Sequence, residues 1–361
     1  VQIEENSIIF RDKNRSCNFI VIFETSKVRI TMNICSRDRE LLCINFKFLI
    51  FMVIPVLLVV ASLVVLYFGA DFLVKGSSSL AVRFGISPLV VGLTVVAFGT
   101  SAPELLVSVQ SALEGNPGIA VGNVMGSNIF NVCAILGISA MIYPLRVNPR
   151  LIRLDAPVML VATLLFVGIF HNGSFGRWAG ILFFAGICAY MIYCVYKAKR
   201  GEVVEGDEEI KPTKSWMLDV VLVIAGFALL VWGSGLLVDN AVIIAQALGW
   251  SEAVIGLTIV AAGTSMPELA TSVVAALKKR TDIAIGNVIG SNIFNLLAVL
   301  GLTATIAPVE TNQINWTDML VMLGTSLLLL PFMRTGFKIG RGEGVVLFVI
   351  YIAYTVYLLV Y

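Results

Sequence analysis

Charged residues are scarce in this chain, at 13% of 361 residues, while 58% are hydrophobic. Soluble domains carry about 25% charged and 45–50% apolar residues. The difference is too large for an ordinary hydrophobic core, so the composition excludes a soluble globular protein. The formal net charge is only +2. With no extended basic segment, this balance gives no indication of a nucleic-acid partner.

Histidine and cysteine are also scarce, with one histidine, His171, and six cysteines. Three of the cysteines lie in long apolar runs, where the side chain behaves as a small apolar group. These residue types therefore give no sign of a disulfide framework or of a site built from imidazole and thiolate ligands.

Apolar runs long enough to cross a bilayer dominate the sequence after residue 48. About 20 residues are needed to cross roughly 30 Å of hydrocarbon. The sequence predicts an all-α polytopic membrane protein with ten transmembrane helices. The predicted spans are 49–69, 88–112, 118–142, 155–171, 178–196, 216–238, 253–277, 282–306, 316–334 and 343–361.

Lysine and arginine are distributed unevenly between the two sets of connecting loops. The loops after spans 1, 3, 5, 7 and 9 hold 16 of them, and the opposite set holds only Arg177. Because positive loops remain in the cytoplasm, the first set is predicted to be cytoplasmic. Both ends of the ten-helix core are then outside the cell, in a protein of the plasma membrane.

The segment 1–51 does not fit this topology, because its 8 basic residues precede span 1 on the outer side. It has no signal-peptide pattern, and residues 17–35 have the pattern of a short amphipathic strand pair. Our hypothesis is that the protein begins at Met52 and that 1–51 is an upstream extension. The alternative is a small genuine outer segment.

The chain contains an internal repeat, in which 87–137 matches 251–301 without a gap at an offset of 164. VGLTVVAFGTSAPEL (91–105) corresponds to IGLTIVAAGTSMPEL (255–269), and GNVMGSNIFN (122–131) to GNVIGSNIFN (286–295). A weaker match aligns 66–76 with 231–241.

Each repeat contains five predicted spans, and an odd number requires the second repeat to enter the membrane upside down. Inverted repeats are a transporter architecture with a binding site near the membrane midplane. The predicted parts are a first repeat at 52–196, a cytoplasmic linker at 197–215 and a second repeat at 216–361.

Two glutamates, Glu104 and Glu268, are the only acidic residues after position 51 predicted to lie deep inside spans. A charge at the bilayer centre costs roughly 2.5–3.5 kcal/mol even on the lenient scale. The two side chains are therefore either protonated or bound to a cation. A purely structural role, as protonated side chains bonded between helices, is the alternative.

The neighbouring residues supply oxygen atoms. Pro103 and Pro267 each remove a helical hydrogen bond and free the carbonyl groups of Gly99 and Gly263. Further candidate oxygen ligands come from hydroxyl and amide side chains at the same depth. They are Thr100, Ser101, Ser127, Asn131, Thr264, Ser265, Ser291 and Asn295.

Oxygen donors with two carboxylates suit Ca²⁺ better than a transition metal or Mg²⁺. Two carboxylates neutralise one Ca²⁺ or two Na⁺, so one pocket could alternate between these ions. Other repeated polar and small residues are interpreted as supporting or packing groups. They are Asn123, Asn128, Asn287 and Asn292, together with the helix-contact glycines of Gly122-x-x-x-Gly126 and Gly286-x-x-x-Gly290.

The paired motifs GTSAPE and GTSMPE, each followed by GNVxGSNIFN, resemble the two alpha repeats of the cation/calcium exchanger superfamily. The likeness is greatest to compact prokaryotic sodium/calcium exchangers and covers about 52–361. It implies ten helices in two inverted halves, with the second, third, seventh and eighth helices broken at the centre. It also implies that helices 1 and 6 slide past the remainder.

Carried over by position, the resemblance implies Ca²⁺ binding by Glu104 and Glu268 with the backbone of Thr100 and Thr264. Both glutamates would also serve sodium. The implied further sodium ligands are Ala97, Ala261, Ser101, Ser265, Ser127 and Ser291. Asn295 stands where some relatives, including potassium-dependent ones, carry Asp, which favours potassium independence.

We therefore expect a secondary antiporter that moves Ca²⁺ outward against inward Na⁺ by alternating access. Ca²⁺/H⁺ exchange is the alternative, because buried glutamates can carry protons, and a passive channel is a third possibility. A hydrolase is excluded because Ser101 and Ser265 have no His or Lys at their depth. We expect no enzyme activity, no organic cofactor, and a monomer whose partners are the lipid bilayer and the transported ions.

Overall fold

The computed structural model describes residues 2–4, 7–11, 18–24, 27–32, 37–199, 212–249, 261–310 and 316–360. The chain divides into two compact units, Val1–Leu57 and Leu58–Tyr361.

The first unit contains an antiparallel sheet of four strands in sequence order: β1 Gln2–Glu4, β2 Ser7–Arg11, β3 Asn18–Glu24 and β4 Lys27–Met32. The β3–β4 pairing confirms the strand pair predicted in 17–35, and β1 and β2 extend it. The expectation of an all-α chain is therefore wrong for this unit.

Helices build almost all of the second unit. Helix α1, Arg37–Arg83, begins in the first unit and is 47 residues long. The next helices are α2 Pro88–Thr100, α3 Ala102–Leu113, α4 Pro117–Ile142, α5 Leu151–Phe170 and α6 Arg177–Lys199. They are followed by α7 Trp216–Ala247, α8 Ala261–Thr264, α9 Met266–Leu277, α10 Thr281–Ile306, α11 Trp316–Arg334 and α12 Arg341–Val360.

Eight of these helices are long and apolar enough to cross a membrane. Helices α2 and α3 meet at 43° and can together form a ninth span. The first part of the predicted span 253–277 and residues 200–211 of the predicted linker lie outside the described residues. Within the described residues the count is thus eight or nine spans.

The first helix of each predicted repeat is longer than its apolar run. Helix α1 continues to Arg83 rather than ending at 69, and α7 continues to Ala247 rather than 238. Lys75 therefore lies within a helix and not in a loop. Hydropathy marks where lipid contact ends, whereas backbone hydrogen bonding allows the helix to continue into the headgroup region.

Helices α4 and α10 run through a π-helical turn, at Phe130–Ile135 and Asn295–Leu300 respectively. The expectation that the third and eighth helices are broken is wrong, because each is continuous across its span. Neither turn contains proline. A π turn changes the direction of its side chains while it preserves the helix.

Helix α10 is the most enclosed spanning helix of those described. Its glycines allow α2 to approach closely. A Cβ added at Gly290 would lie 2.7 Å from Ala97 Cβ, and one added at Gly286 would lie 3.1 Å from the Leu89 carbonyl oxygen. This confirms the predicted helix contact at the second glycine pair.

Two short ladders connect loops that follow or precede the helices. Strand β5, Leu145–Arg146, pairs with β8, Lys338–Ile339, and β6, Ser174–Phe175, pairs with β7, Val309–Glu310. The two pairs of strands correspond at the same offset of 164 residues.

Helices α1 and α7 make reciprocal contacts that correct the weaker sequence alignment. A Cβ on Gly69 would meet Leu229 and the Leu230 backbone, and one on Gly233 would meet Val65 and Leu66. These contacts correspond at an offset of 164, so Gly69 is equivalent to Gly233. The alignment of 66–76 with 231–241, which has an offset of 165, is wrong by one residue.

Candidate cation site

Two serines interrupt the helical backbone beside the candidate glutamates. Ser101, between α2 and α3, has φ −85° and ψ 6°, and Ser265, between α8 and α9, has φ −92° and ψ 10°. Pro103 and Pro267 follow in the first turn of α3 and α9, where the missing N–H costs little.

The break places Glu104 and Glu268 in the first turn of α3 and α9. A helix N-terminus carries a partial positive charge and unsatisfied N–H groups, and both favour a carboxylate. The helix ends therefore supply part of the positive charge that these glutamates need at membrane depth.

The glutamates are held crosswise between the two halves of the chain. Ser101 Oγ donates to Glu268 Oε1 at 3.0 Å, and Ser265 Oγ donates to Glu104 Oε1 at 2.9 Å. Both carboxyl groups and both serines are buried, with the glutamates 0% exposed. Each half thus supplies a hydroxyl to the carboxylate of the other.

Additional predicted residues adjoin these pairs. Ser127 Oγ lies 3.0 Å from Ser265 Oγ, and Ser291 Oγ donates to Glu268 Oε1 at 3.4 Å. Thr100 Oγ1 is 3.4 Å from Ser291 Oγ. One continuous cluster of buried hydroxyl and carboxyl oxygens results.

Asn123 and Asn287 support the cluster from behind. The Asn123 amide donates to the Glu104 carbonyl oxygen at 3.2 Å, and the Asn287 amide donates to the Glu268 carbonyl oxygen at 3.3 Å. Their oxygens accept hydrogen bonds from Thr264 at 3.3 Å and Thr100 at 3.2 Å. The supporting role predicted for these two asparagines is consistent with this geometry.

Sequence reasoning missed Ser108 and Ser272, which lie one helical turn after the glutamates. Their hydroxyls accept from the Asn123 and Asn287 amides, each at 3.0 Å. Both serines occur at the repeat offset of 164, so the duplication itself was the available signal.

Asn131 and Asn295 lie in the π turns of α4 and α10 and are 0% exposed. The Asn131 amide donates to Asn292 Oδ1 at 3.0 Å. Among the described residues, Asn131 Oδ1 and both polar atoms of the Asn295 amide have no hydrogen-bond partner.

Glu104 Oε2 and Glu268 Oε2 are likewise buried and without a hydrogen-bond partner within the described residues. A buried oxygen left unpaired costs free energy, because it has lost its water. Buried and unpaired carboxylate and amide oxygens suit a desolvated hard cation, which prefers oxygen ligands.

The backbone of Ala97 already takes part in local hydrogen bonds. Its carbonyl oxygen accepts from the Ser101 N–H at 3.0 Å and from Thr100 Oγ1 at 3.3 Å. Ala261 begins α8. The Ala97 carbonyl is therefore linked to the hydroxyl cluster through Thr100.

A known protein family matches most of this chain. The model of the sodium/calcium exchanger protein family matches residues 54–198 and 218–360. The chain belongs to this family. Its members are transporters and not enzymes, and the chain is an integral membrane protein of the cation/calcium exchanger superfamily.

Individual relatives of the family cover most of the chain. The sodium/calcium exchanger MaX1 of Methanosarcina acetivorans is 33% identical over 341 residues, covering 84% of this chain and 97% of the relative. A solved structure of the sodium-calcium exchanger NCX_Mj has 35% identity and a TM-score of 0.73, covering 84% of this chain and 97% of its own. The Ca²⁺/H⁺ antiporter ChaA of Bacillus subtilis is 27% identical over 62% of this chain and 68% of the relative.

Proposed function

We propose that this exchanger is a secondary antiporter that moves Ca²⁺ out of the cell in exchange for inward Na⁺. The observation that carries the proposal is the crosswise pair of buried glutamates, each held by a serine of the other half and each with one unpaired oxygen. Two carboxylates balance either one Ca²⁺ or two Na⁺, so one site can alternate between these cations.

The proposed ligands are the residues predicted from the sequence. Ca²⁺ would bind Glu104 and Glu268 with the backbone of Thr100 and Thr264, and the amide oxygens of Asn131 and Asn295 would complete the pocket. The proposed sodium ligands are both glutamates, Ala97, Ala261, Ser101, Ser265, Ser127 and Ser291.

The proposed architecture has ten spanning helices in two inverted halves, 52–196 and 216–361, joined by a cytoplasmic linker at 197–215. The equivalence of contacts at a constant offset of 164 supports two structurally related halves. The 16-to-1 distribution of basic residues supports outer termini for this core in the plasma membrane. We propose that 1–51 lies outside the exchanger core and that the exchanger acts as a monomer.

Vesicle uptake tests the coupling ion directly. Vesicles containing the full chain, loaded with Na⁺ and diluted into Na⁺-free buffer, are expected to accumulate radioactive calcium with or without potassium. Vesicles loaded with potassium in place of sodium are the control. Uptake that requires a pH gradient and ignores sodium would replace this proposal with Ca²⁺/H⁺ exchange, the activity named for ChaA.

Protons are expected to inhibit the sodium-driven flux. A proton and a cation compete for the same carboxylate oxygens, so a proton on Glu104 or Glu268 excludes the cation. Flux should therefore fall as pH falls, and higher calcium should restore it. Inhibition that higher calcium does not relieve would place the titrating group outside the cation site.

A further inference from the structure

Helix α7 lies against both interruptions of the central helices. A Cβ added at Gly99, before the first interruption, would lie 1.9 Å from the Phe227 ring. A Cβ added at Gly263, before the second, would lie 2.1 Å from Val238 Cγ2. Because the glutamates have no exposure, a cation can reach them only when a covering element moves. Helix α7 is such an element.

One hydrogen bond fastens α7 to the second interruption. Ser234 Oγ donates to the Gly263 carbonyl oxygen at 2.6 Å, and Ser234 is only 6% exposed. In a regular helix that carbonyl would accept from the N–H four residues later, but Pro267 has none. The Ser234 hydroxyl therefore satisfies a carbonyl group that the proline leaves free.

The position equivalent to Ser234 in the first half carries no hydroxyl. At the offset of 164 established by Gly69 and Gly233, the counterpart of Ser234 is Ala70, which is buried and has no hydroxyl. Pro103 frees the Gly99 carbonyl in the same way. The two interruptions therefore differ in what α7 places against them, which is Phe227 beside Gly99 but Val238 and the Ser234 hydroxyl beside Gly263.

We propose that Ser234 is a positioning residue that latches α7 to the second helix interruption in the conformation described here, and that this bond opens during each transport cycle. This inference rests on the proposed antiport, in which the buried site must open alternately to the two faces. A bond made in only one state biases the equilibrium between states by its own net free energy.

Apparent calcium affinity on the two faces distinguishes such a latch from a merely structural group. Apparent affinity is proportional to the fraction of molecules in the binding-competent state, so it rises when a closed state becomes less populated. Ser234→Ala is expected to lower the KM for calcium on both faces, because loss of the latch depopulates a conformation in which both glutamates are buried and closed to cations. The net contribution of one hydrogen bond corresponds to a change of about two- to tenfold.

The experiment uses the full chain in vesicles, with KM measured separately on each face. Ser234→Thr keeps the hydroxyl and should restore wild-type values. Ser326→Ala is the matched control, because Ser326 is a buried serine whose hydroxyl bonds the Met322 carbonyl of its own helix at 2.8 Å. That control should leave both KM values unchanged. A lower maximal rate with unchanged KM on both faces for Ser234→Ala would overturn the latch.

Hydrogen exchange tests the same contact without transport. In the full chain in lipid nanodiscs, Ser234→Ala should accelerate amide exchange in 263–268 but not in the matched segment 99–104, whereas Ser234→Thr should behave as the wild type. Unchanged exchange in 263–268 would overturn the latch. Absence of sodium-driven uptake by the wild type would instead overturn the antiport proposal and leave this readout intact.

Discussion

Among the described residues, the buried acidic side chains fall into two groups, one with an arginine partner and one without. Asp219 lies 3.1 Å from Arg83 Nε, and Asp155 lies 3.5 Å from Arg150 Nε, near the beginnings of their helices. Glu104 and Glu268 accept hydrogen bonds from serines at the helix interruptions. The side chains of all four acids are 0% exposed.

The difference indicates what each group does. An aspartate beside an arginine already has a counter-charge within the protein, so its charge serves the structure. A carboxylate that has only hydroxyls and a helix end is incompletely neutralised. An exchangeable cation bound to such a carboxylate would complete its neutralisation.

The Asp219–Arg83 pair also joins neighbouring segments. Thr213, just before α7, donates to Asp219 Oδ1 at 2.5 Å, and its carbonyl accepts from Arg83 Nη2 at 2.7 Å. Its backbone N–H donates to Ser79 Oγ at 2.8 Å. The end of α1 and the beginning of α7 are thus joined through one buried aspartate.

The largest expected effect comes from removing one of the two central carboxylates. Glu104→Gln or Glu268→Gln is expected to abolish calcium exchange, because each removes half of the negative charge of the cluster. Loss of one interaction with a charged group alone costs about 1.5–3 kcal/mol. Sodium-driven calcium uptake measures the effect, and a monodisperse elution profile checks that the variant folds.

The matched control is Glu114→Gln. Glu114 is exposed at the end of α3, and its carboxylate accepts from the Gln110 amide at 2.8 Å. Its uptake should equal that of the wild type. Retained exchange in either central variant would place the cation site elsewhere.

Removing an arginine should have the opposite effect to removing a central glutamate. The protein should become less stable, while each folded molecule keeps its transport activity. Arg83→Ala leaves buried Asp219 without its cation, which is expected to cost about 1.5–3 kcal/mol. Thermal unfolding of the purified full chain measures the loss. Arg153→Ala, at an exposed arginine of α5, should leave the unfolding midpoint unchanged. An unchanged midpoint in Arg83→Ala would mean that the pair contributes nothing.

Repetition and apolar length made much of this arrangement predictable. The gapless offset of 164 identifies both glutamates, their serines and the support asparagines from the sequence alone. The offset also brings Ser108 and Ser272 into the set, but their role depends on contacts with Asn123 and Asn287 across neighbouring helices.

Contacts that occur in only one half could not be predicted from the sequence. Ser234 is equivalent to an alanine, so duplication gives it no weight, and its role depends on α7 lying beside Gly263. The π turns at Asn131 and Asn295 also leave no sequence signal, because they contain neither proline nor a shift in hydropathy. They reflect tertiary packing rather than local propensity.

The smallest expected effect is a difference between the two carboxylates in sodium binding. Glu268 Oε1 accepts from Ser101 at 3.0 Å and from Ser291 at 3.4 Å, whereas Glu104 Oε1 accepts from Ser265 at 2.9 Å. Ser265→Ala should therefore raise the half-saturating sodium concentration about fivefold, since it removes one net hydrogen bond.

Ser101→Ala should raise that concentration only about twofold, because Ser291 still donates to Glu268. The sodium dependence of calcium efflux from vesicles measures both values, and Ser265→Thr, which keeps the hydroxyl, is the control. Equal shifts in the two alanine variants would show that the second hydroxyl on Glu268 does not compensate. The two carboxylates would then be equivalent in sodium binding despite their different hydrogen-bond partners.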